Sequence, residues 1–298
     1  MKSNPPTIAI LTQATDDFHQ RRYLVRLMIP RWEAMGFRVV VVTETGPFVP
    51  ADIALLHVDL SVVPDKIRRF AARYPRVLNG QVLDIRKRRF SRLLVDRVGP
   101  DPGKVIVKTD WNFGGRPELR WNVLESPLGR LVRRFNINIA ESICHRVARR
   151  EARRPWRTKR ALNNYPVYAN RDLVPVEVWA NPNLMVERFL VEREGNDYCC
   201  RHWLFLGRRE VCRRTVSPNP VVKVDGKLEP LLEPVPEELR AIRKQLGFDY
   251  GKFDYGIING EVFLYDANRT PSTSADPKRH AETTDVLAEG INDFAALI

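Results

Sequence analysis

Two short runs of β-branched and aromatic residues, residues 253–258 and 262–265, flank the dipeptide Asn259-Gly260 near the C-terminal end of the sequence. Asn-Gly between two such runs is a strong signal of a β-hairpin. Each arm is nevertheless accompanied by an acid, Asp254 in the first and Asp266 at the end of the second. Because a buried carboxylate is costly unless something compensates it, a metal ion, a basic partner or plain exposure has to account for these acids.

The spacing of the acids constrains the hairpin further. A regular two-residue turn would set Asp254 opposite Tyr265 and would place Asp266 on the other face of the sheet. Two carboxylates that share a metal ion must lie on the same face. We therefore predict one extra residue in the hairpin, as a bulge or a longer loop near Gly256 or Gly260.

The charge of the chain is its one unusual bulk property. The 298 residues carry a formal net charge of +13, most of it from arginine. Such a charge fits nucleic acid, an acidic partner or ligands that bear phosphate, and it does not choose among them.

No stretch is long enough for a membrane span, and the first apolar run is too short for a signal peptide. We therefore expect no membrane association.

The cysteines and histidines lack the spacing of metal ligands. Cys199 and Cys200 are adjacent, so on a strand they would point to opposite faces, and no CxxC pair occurs. The pattern predicts neither a zinc site nor a disulfide framework, and a reducing cytoplasm is the expected location. We assign no role to the five histidines, which are scattered at positions 19, 57, 145, 202 and 280.

Alternating strands and helices in residues 1–84 predict a small parallel α/β domain. The predicted strands are residues 7–13, 37–45, 51–59 and 76–80, and the predicted helices are residues 17–36 and 64–74. This domain lacks a GxGxxG loop, so nothing in it specifies a dinucleotide.

Residues 85–298 predict a second, α+β domain whose strands are mainly antiparallel. Its predicted helices are a short basic one at residues 84–95 and longer ones at 137–154, 236–247 and about 276–298. Its predicted strands are residues 104–110, 183–192, 197–207 and 210–216, followed by the hairpin.

A first segment that suggests nucleotide chemistry is VIVKTDWNFGGRPE, with Lys108 on an apolar strand and Gly114-Gly115 in the turn after it. A lysine on a strand can reach a phosphate as a point charge. Paired glycines let backbone N–H groups approach anionic oxygens. A lysine that faces water and an ordinary Gly-Gly turn are the alternatives, and this segment alone favours them.

A second segment, LMVERFLVE, places Glu187 in an apolar strand. Its backbone N–H and C=O groups could be presented to the edge of a purine, and Glu192 or Glu194 could accept hydrogen bonds from ribose hydroxyls. An edge strand with outward acids is the alternative, and by itself the segment favours it.

The third and fourth segments are the two arms of the hairpin. Asp266 and Asn268 are two residues apart, so they share a face of an extended strand. Together with Asp254 they offer two carboxylates and an amide oxygen, hard ligands that suit Mg²⁺ held jointly with substrate phosphates. A charged hairpin on the surface is the weaker alternative.

The order and spacing of all four segments resemble the ATP-grasp superfamily, including the D-alanine–D-alanine ligase, glutathione synthetase and lysine-biosynthesis ligase types. The resemblance extends over nearly the whole chain. It implies an N-terminal α/β (pre-ATP-grasp) domain, residues 1–84, followed by an ATP-grasp domain with antiparallel sheets, residues 85–298.

The resemblance also implies roles for single residues. Lys108, and less specifically Lys87, would contact ATP phosphates, and Gly114-Gly115 would lie in a flexible loop that covers them. The remaining implied assignments are the adenine-binding segment Glu187, Arg188, Phe189 and Leu190, and the magnesium ligands Asp254, Asp266 and Asn268. Two departures are the aspartate at 266, where glutamate is more usual, and Lys252 in place of an arginine.

The activity implied is an Mg²⁺-ATP-dependent ligation. A carboxylate substrate is activated as an acyl phosphate, which an amine or a thiol then attacks while ADP and phosphate leave. Because acyl phosphates hydrolyse readily, a lid is expected, and the loop hinged at Gly114-Gly115 is the candidate.

The substrate side is less specific. Besides Lys252, we consider Arg201 and Arg269 as candidate catalytic residues near the reacting groups. For Arg201 a structural ion pair is an equal alternative. The substrates expected are a small-molecule carboxylate and an amine, and a homodimer is the default assembly.

An arginine stripe runs along the predicted helix 137–154 and beyond it, formed by Arg146, Arg149, Arg150, Arg153, Arg154, Arg157, Lys159 and Arg160. A solvated helix face is the simpler interpretation, and docking of an acidic protein or carrier is the functional one. Aromatic residues for base stacking are sparse there, so nucleic acid is not favoured. Two alternative functions stay open: a phosphotransferase of the same fold, and a nucleotide-responsive protein that binds acidic partners through this stripe.

Overall fold

We analysed a computed structural model of the protein, which describes residues 5–135, 137–222, 226–231, 233–274 and 280–296. Contacts divide the chain into two compact units. Unit 1 comprises Met1–Asp84 and Glu192–Ile298, and unit 2 comprises Ile85–Val191. The division at residue 84 coincides with the predicted domain boundary. The remainder of the chain, predicted as one domain, is shared between the two units.

Unit 1 begins with a parallel four-stranded sheet in the order β2-β1-β3-β4. Its strands are β1 (Thr7–Thr12), β2 (Arg38–Thr43), β3 (Ile53–Leu56) and β4 (Val77–Leu78), and its helices are α1 (Leu24–Ala34) and α2 (Asp65–Ala71). The central strands β1 and β3 are almost entirely buried, as expected for parallel strands covered on both faces. The alternation of strands and helices thus predicts this sheet correctly.

Helix α1 is shorter than the predicted helix of residues 17–36. It begins only at Leu24, because Tyr23 is extended and its hydroxyl donates to two acids of unit 1, Asp16 and Asp59. It ends before Gly36, whose φ of +92° suits a glycine after a helix.

The second sheet of unit 1 has six antiparallel strands in the order β11-β10-β9-β12-β13, with β8 paired to β9. The strands are β8 (Glu192–Glu194), β9 (Asp197–Leu206), β10 (Arg209–Ser217), β11 (Lys227–Pro230), β12 (Tyr250–Ile258) and β13 (Glu261–Asn268). Helices α7 (Glu237–Leu246), α8 (Ala281–Ala288) and α9 (Asn292–Ala295) complete the unit.

The two faces of this sheet bury different side chains. On one face, which we call the site face, Leu204, Leu206 and Tyr250 share a core with Trp32 of α1 and Leu287 of α8. The opposite face, which we call the aromatic face, buries a cluster in which the rings of Trp203, Phe205, Phe248 and Phe253 contact one another. Alternation along β9 and β12 therefore gives each face its own composition.

Unit 2 contains an antiparallel three-stranded sheet in the order β6-β5-β7. The strands are β5 (Val105–Thr109), β6 (Val167–Tyr168) and β7 (Leu184–Arg188), and the helices are α3 (Arg116–Leu124), α4 (Pro127–Phe135), α5 (Ile137–Ala152) and α6 (Val176–Trp179). The predicted helix at residues 137–154 is confirmed as α5.

The basic helix predicted at residues 84–95 is wrong. Only one 3₁₀ turn forms there, Lys87–Arg89. The reason is tertiary: the amide N–H groups of Lys87 and Arg88 donate to the carbonyl oxygen and the carboxylate of Asp110, respectively. The Lys87 side chain is buried as well.

Within the described part of the chain, no helix has the length and apolarity that crossing a bilayer requires.

Candidate functional site

The hairpin of β12 and β13 carries the extra residue that the spacing of its acids predicts. Ile258 pairs with Glu261, so the Asn259-Gly260 turn is regular, but the register shifts between Asp254 and Tyr255. The predicted irregularity near Gly256 is thus confirmed as a β-bulge, with Asp254 directly opposite Asp266. Directly opposed residues of an antiparallel pair project from the same face, so both carboxylates lie on the site face.

Lys252 lies two residues before Asp254 and is directly opposite Asn268. It therefore shares the site face, and its Nζ is 3.0 Å from Asp254 Oδ1. Burial raises the pKa of the Asp254 carboxyl, but the neighbouring Lys252 and His202 outweigh burial and hold that pKa well below its usual range. The Asp254 carboxylate is therefore kept ionised at neutral pH.

The amide oxygen of Asn268, expected as a metal ligand, is engaged in a local turn. Asn268 Oδ1 accepts hydrogen bonds from the backbone N–H of Thr270 at 2.8 Å and from its hydroxyl at 3.2 Å. A metal ion would have to share this oxygen with Thr270. The two carboxylates are therefore the main donors that the hairpin offers.

His202 belongs to this group, although the sequence analysis gave it no role. It lies directly opposite Asp254 on β9, and its Nδ1 is 2.6 Å from Asp254 Oδ1. Its Nε2 is 2.7 Å from Thr215 Oγ1 on β10. The imidazole is thus fixed at both nitrogens. The pairing of β9 with β12 joins residues far apart in the sequence, so no local motif could have indicated it.

These residues fit a magnesium ion by the chemistry of their donors. Asp254 and Asp266 present hard carboxylate oxygens from adjacent strands, and Mg²⁺ is commonly held by one or two carboxylates together with substrate phosphates. Asp254 and Asp266 would be the ligands, with Asn268 beside them.

Arg201 does not join this group, which corrects its expected catalytic role. It pairs with Tyr255, one residue beyond Asp254, and so projects from the aromatic face. There its guanidinium contacts Glu192, with both Nε–O distances at 2.9 Å, and also Glu233. The structural ion pair, which was the alternative, is what the structure contains.

Arg269 is fully buried, which corrects its expected contact with substrate. Its guanidinium donates to the backbone carbonyl oxygens of Val58, Leu60, Ser61 and Val82. These carbonyls belong to loops of the parallel-sheet region of unit 1. Arg269 therefore anchors the end of the hairpin to those loops.

An acidic cluster in unit 1 escaped the sequence analysis. The Tyr23 hydroxyl lies 3.1 Å from Asp16 Oδ1 and 3.2 Å from Asp59 Oδ2. Burial and the charge of Asp59 raise the pKa of Asp16 to about 6. The Thr270 hydroxyl donates to Asp59 Oδ1 at 3.1 Å as well as to Asn268, so this cluster is linked to the hairpin.

In unit 2, Lys108 and Glu187 form a buried ion pair. The register of β5 and β7 places both on the same face of the sheet, and Lys108 Nζ lies 2.7 Å from Glu187 Oε2. Glu187 is 1% exposed, and the side chain of Lys108 is 12% exposed. Lys108 on β5 is thus paired directly with Glu187, the first residue of the segment expected to bind adenine.

The segment after Glu187 uses its backbone donors internally. The N–H groups of Arg188, Phe189 and Leu190 donate to the carbonyl oxygens of Leu93, Lys104 and Arg188, respectively. A purine edge would therefore meet carbonyl acceptors here. Glu194, the candidate for the ribose, lies on β8 of unit 1 and contacts Arg214 at 2.7 Å.

The glycines expected as a lid hinge are tightly packed. Gly114 and Gly115 have φ of +66° and +78°, and a Cβ at these positions would lie 2.4 Å from Leu162 O and 2.7 Å from Arg160 O. Close approach of backbone to backbone explains both glycines. This packing corrects the expectation of a freely hinged loop. Lys87 Nζ, 3.2 Å from Trp111 O, supports the start of the same segment.

The arginine stripe lies on α5 and the segment after it. Arg146, Arg149, Arg150 and Arg153 are exposed, whereas Arg154 and Arg160 contact the buried acid Glu151. The preceding helix, α4, exposes apolar side chains beside this charge: Leu128 is 66% exposed, Leu131 54% and Phe135 79%.

Comparison with known proteins gives a fold. The sequence matches no protein-family model and no curated protein. Among solved structures, the ATP-grasp ligase PsnB in complex with a minimal precursor, Mg and ADP is 12% identical with a TM-score of 0.53, and the match covers 97% of this chain and 99% of PsnB.

Two further structures are similar to this chain. The macrocyclase MdnC from Microcystis aeruginosa, bound with the precursor peptide MdnA, is 10% identical with a TM-score of 0.52 and coverage of 96% and 99%. D-alanyl-alanine synthetase A from Vibrio cholerae is 9% identical with a TM-score of 0.52 and coverage of 98% and 97%. The chain therefore has an ATP-grasp fold, and the resemblance predicted from the four segments is confirmed at that level.

Proposed function

We propose that the protein is an ATP- and Mg²⁺-dependent carboxylate–amine ligase that releases ADP and phosphate. The observation that carries this proposal is the bulged hairpin, which places Lys252, Asp254, Asp266 and Asn268 on one face of the sheet. A protein that only binds a partner has no need of two carboxylates directly opposite each other on one face of a hairpin.

The hairpin residues have distinct roles in this proposal. When bound, Mg²⁺ supplies positive charge that neutralises phosphate oxygens during phosphoryl transfer. Asp254 and Asp266 would hold the ion. Lys252 keeps Asp254 ionised, and His202, fixed by Thr215, orients the same carboxylate.

We propose that the ion pair of Lys108 and Glu187 in unit 2 takes part in binding the nucleotide. Lys108 would contact phosphate oxygens, and Glu187 would hold the lysine in place through the ion pair. The carbonyl oxygens of the segment from Arg188 to Leu190 would accept from the exocyclic amine of adenine.

For the amine substrate we propose the acidic cluster of Asp16, Tyr23 and Asp59. Its negative charge suits an ammonium group, and it is joined to the hairpin through Thr270. The side chain of Asp16 is only 2% exposed, so we assign the direct contact to Asp59 and assign Asp16 the role of sustaining the charge behind it.

The decisive experiment is calorimetry of ATP binding with and without Mg²⁺. We expect the parent protein to bind ATP more tightly with Mg²⁺ and Asp266→Ala to lose that dependence. The control is Glu261→Gln, which alters an exposed acid at the other end of β13 and should keep it. If neither the parent nor the control binds ATP, the hairpin acids do not serve a nucleotide and the proposal fails.

The products then distinguish the ligase from the phosphotransferase alternative. A screen of carboxylates and amines for ADP release, followed by mass spectrometry, should find a new amide. A phosphorylated product without an amide would establish the phosphotransferase.

A peptide is a second candidate substrate class, favoured by the surface of α4. Leu128, Leu131 and Phe135 are exposed at helical spacing. They lie in the segment 127–160, which holds eleven basic and two acidic residues and so carries +9 of the chain's +13. Exposed apolar side chains with surrounding arginines suit an acidic amphipathic peptide. PsnB and MdnC are both described with precursor molecules, MdnC with a peptide.

Fluorescence anisotropy with a labelled acidic amphipathic peptide tests this candidate. Phe135→Ser should weaken binding, and added salt should weaken it further. Val98→Ser is a suitable control, because Val98 is 84% exposed in the same unit and lies outside this segment. Equal effects of the two substitutions would remove the candidate.

A further inference from the structure

The site face of the six-stranded sheet carries a thiol beside the acid and the imidazole already described. Cys200 and His202 are two residues apart on β9, so both side chains project from this face. Cys200 pairs with Thr215 of β10, and His202 pairs with Asp254 of β12. One donor atom from each of Cys200, His202 and Asp254 can be chosen so that all three lie within 4.8 Å of one another.

The surrounding contacts orient these donors as those of a metal site. A ligating histidine usually donates its other ring N–H to an oxygen that fixes the ring. His202 Nε2 has such a partner in Thr215 Oγ1 at 2.7 Å, and this leaves Nδ1 directed at the acid. Lys252 Nζ, 3.0 Å from Asp254 Oδ1, fixes the position of the carboxylate.

The set of donors selects a different ion from the pair of hairpin acids. A thiolate, an imidazole nitrogen and a carboxylate are the common ligands of Zn²⁺, at about 2.0–2.3 Å, whereas Mg²⁺ takes oxygen ligands. The donor atoms lie within 4.8 Å of one another, so the three side chains have to adjust for all of them to reach those distances. A fourth, open position would hold water, as in zinc sites with three protein ligands.

We propose that Cys200, His202 and Asp254 form a binding site for Zn²⁺ and similar thiophilic divalent cations. When the ion binds, the Cys200 thiol releases its proton to solvent and the thiolate becomes a ligand, while His202 binds through Nδ1 as the neutral tautomer that carries its proton on Nε2, which faces Thr215 Oγ1. Because Asp254 is also a proposed magnesium ligand, bound zinc withdraws it from magnesium and inhibits Mg²⁺-dependent ATP binding. This inhibition rests on the proposed function, whereas zinc binding itself does not.

Titration of the reduced, metal-free protein with Co²⁺, as a spectroscopic substitute for Zn²⁺, tests the site without ATP. We expect one equivalent of Co²⁺ to bind with a thiolate-to-cobalt charge-transfer band in the near ultraviolet, and one equivalent of Zn²⁺ to abolish it. Cys200→Ser should remove the band and weaken Zn²⁺ binding by roughly tenfold or more. His202→Ala should weaken Zn²⁺ binding similarly.

Two other cysteines provide matched controls. Cys199 is adjacent to Cys200, and Cys212 lies on the neighbouring strand β10; both project from the aromatic face. Cys199→Ser and Cys212→Ser should therefore keep the band. Thermal unfolding of each variant establishes that it is folded. A band that persists in Cys200→Ser, a band lost in a folded control variant, or no band in the parent protein would overturn the proposal.

The same variants separate this proposal from the proposed function. Cys200→Ser should bind Mg²⁺-ATP like the parent protein and should resist Zn²⁺, while Asp266→Ala should keep the cobalt band and lose the magnesium dependence. If the parent shows the band but no ATP binding, the zinc site stands and the proposed function fails. If ATP binds with Mg²⁺ but the band is absent, the reverse holds.

Discussion

Unit 1 contains two groups of carboxylates whose surroundings act in opposite directions. On the hairpin, burial raises the pKa of Asp254, but the charge of Lys252 and the contact with His202 outweigh burial and hold that pKa well below its usual range. In the acidic cluster, burial and the charge of Asp59 raise the pKa of Asp16 to about 6. Both carboxyls are largely enclosed by protein, so enclosure alone does not decide their charge.

The difference lies in the neighbours that the fold supplies. Lys252 of the same strand and His202 of the adjacent strand β9 contact Asp254, whereas loops after parallel strands bring a second acid to Asp16. Carboxyl groups with pKa values driven apart are a common mark of divided roles in active sites. In the proposed function, the first group would hold a metal ion at neutral pH, and the negative charge of the second would attract the ammonium group of the amine substrate.

The largest effect should come from removing the hairpin charge. Asp254→Asn deletes a proposed magnesium ligand and leaves Lys252 without its partner. Since a metal ion contributes several kcal/mol, we expect the apparent Mg²⁺ affinity in ATP binding to fall on the order of 100-fold or more. Calorimetry at several Mg²⁺ concentrations measures it.

The matched substitution for this prediction is Tyr255→Phe, one residue along β12 and on the aromatic face. It should leave the Mg²⁺ dependence unchanged. An equal loss in both variants would mean that the two faces do not differ in function.

Neutralising the acidic cluster should have the next largest effect, and it should appear in stability. Asp16 is 2% exposed at its side chain, and its pKa rises from 3.8 to about 6 on folding. Between pH about 4 and 6 the folded protein therefore holds a proton that the unfolded chain has released. The free energy of unfolding falls as pH rises through this window, by about 2–3 kcal/mol in total, and stays low above it.

Asp16→Asn should abolish that fall and make the protein more stable than the parent at pH 7. Denaturant unfolding at pH 4, 5, 6 and 7 measures the difference between the two proteins. As a comparison, Asp52→Asn changes an acid that accepts from the backbone of Thr7, outside the cluster, and should keep the parent's pH dependence in this window. An unchanged slope in Asp16→Asn would contradict the raised pKa.

The two groups also differ in how far the sequence predicts them. The hairpin acids follow from local rules, because Asn259-Gly260 fixes the turn and the spacing of Asp254 and Asp266 then requires a bulge. The acidic cluster joins residues from separate loops, and Asp16 lies in the short polar connection between the predicted strand at residues 7–13 and the predicted helix at residues 17–36. Its pairing depends on the parallel sheet bringing Asp16 and Asp59 to the same Tyr23 hydroxyl, which no local pattern encodes.

Arginines were the least predictable residues of the site. A buried arginine and an exposed one look alike in sequence, so Arg201 and Arg269 were both expected near substrate. Strand parity relative to Asp254 would have placed Arg201 on the other face, but only once the register of β9 and β12 was known. The burial of Arg269 depends on carbonyl groups some 200 residues away in the chain.

A smaller effect should come from disturbing the bulge without touching an acid. A Cβ on Gly256 would lie 2.3 Å from the hydroxyl and 2.9 Å from Cζ of Tyr265, the extra residue of the bulge. Gly256→Ala should therefore displace Tyr265 and the adjacent Asp266, at about 1–3 kcal/mol of stability. It should also weaken Mg²⁺ binding while leaving the pH dependence due to Asp16 intact.

The double variant Gly256→Ala/Tyr265→Ala tests the cause. Removing the ring removes the clash, so the two effects on stability should not add. Gly260→Ala is the reference for backbone strain alone, because Gly260 has a φ of +82° and no atom within 4 Å of its Cβ position. Additive effects in the double variant would show that the loss of stability in Gly256→Ala does not come from a clash with the Tyr265 ring.

The smallest effect should come from cutting the link between the two groups. Thr270→Val keeps the shape of the side chain and removes the hydroxyl that donates to Asp59 and Asn268. One buried hydrogen-bonding group is worth about 1 kcal/mol, so stability should fall by that amount and Mg²⁺ affinity by less than about tenfold. Thr273→Val, which removes an exposed hydroxyl that donates to Arg22, should change neither. Thr270→Val and Asp254→Asn could instead cause equally large losses of Mg²⁺ affinity. The acidic cluster and the hairpin would then act as one charge-balanced site and not as two separate groups.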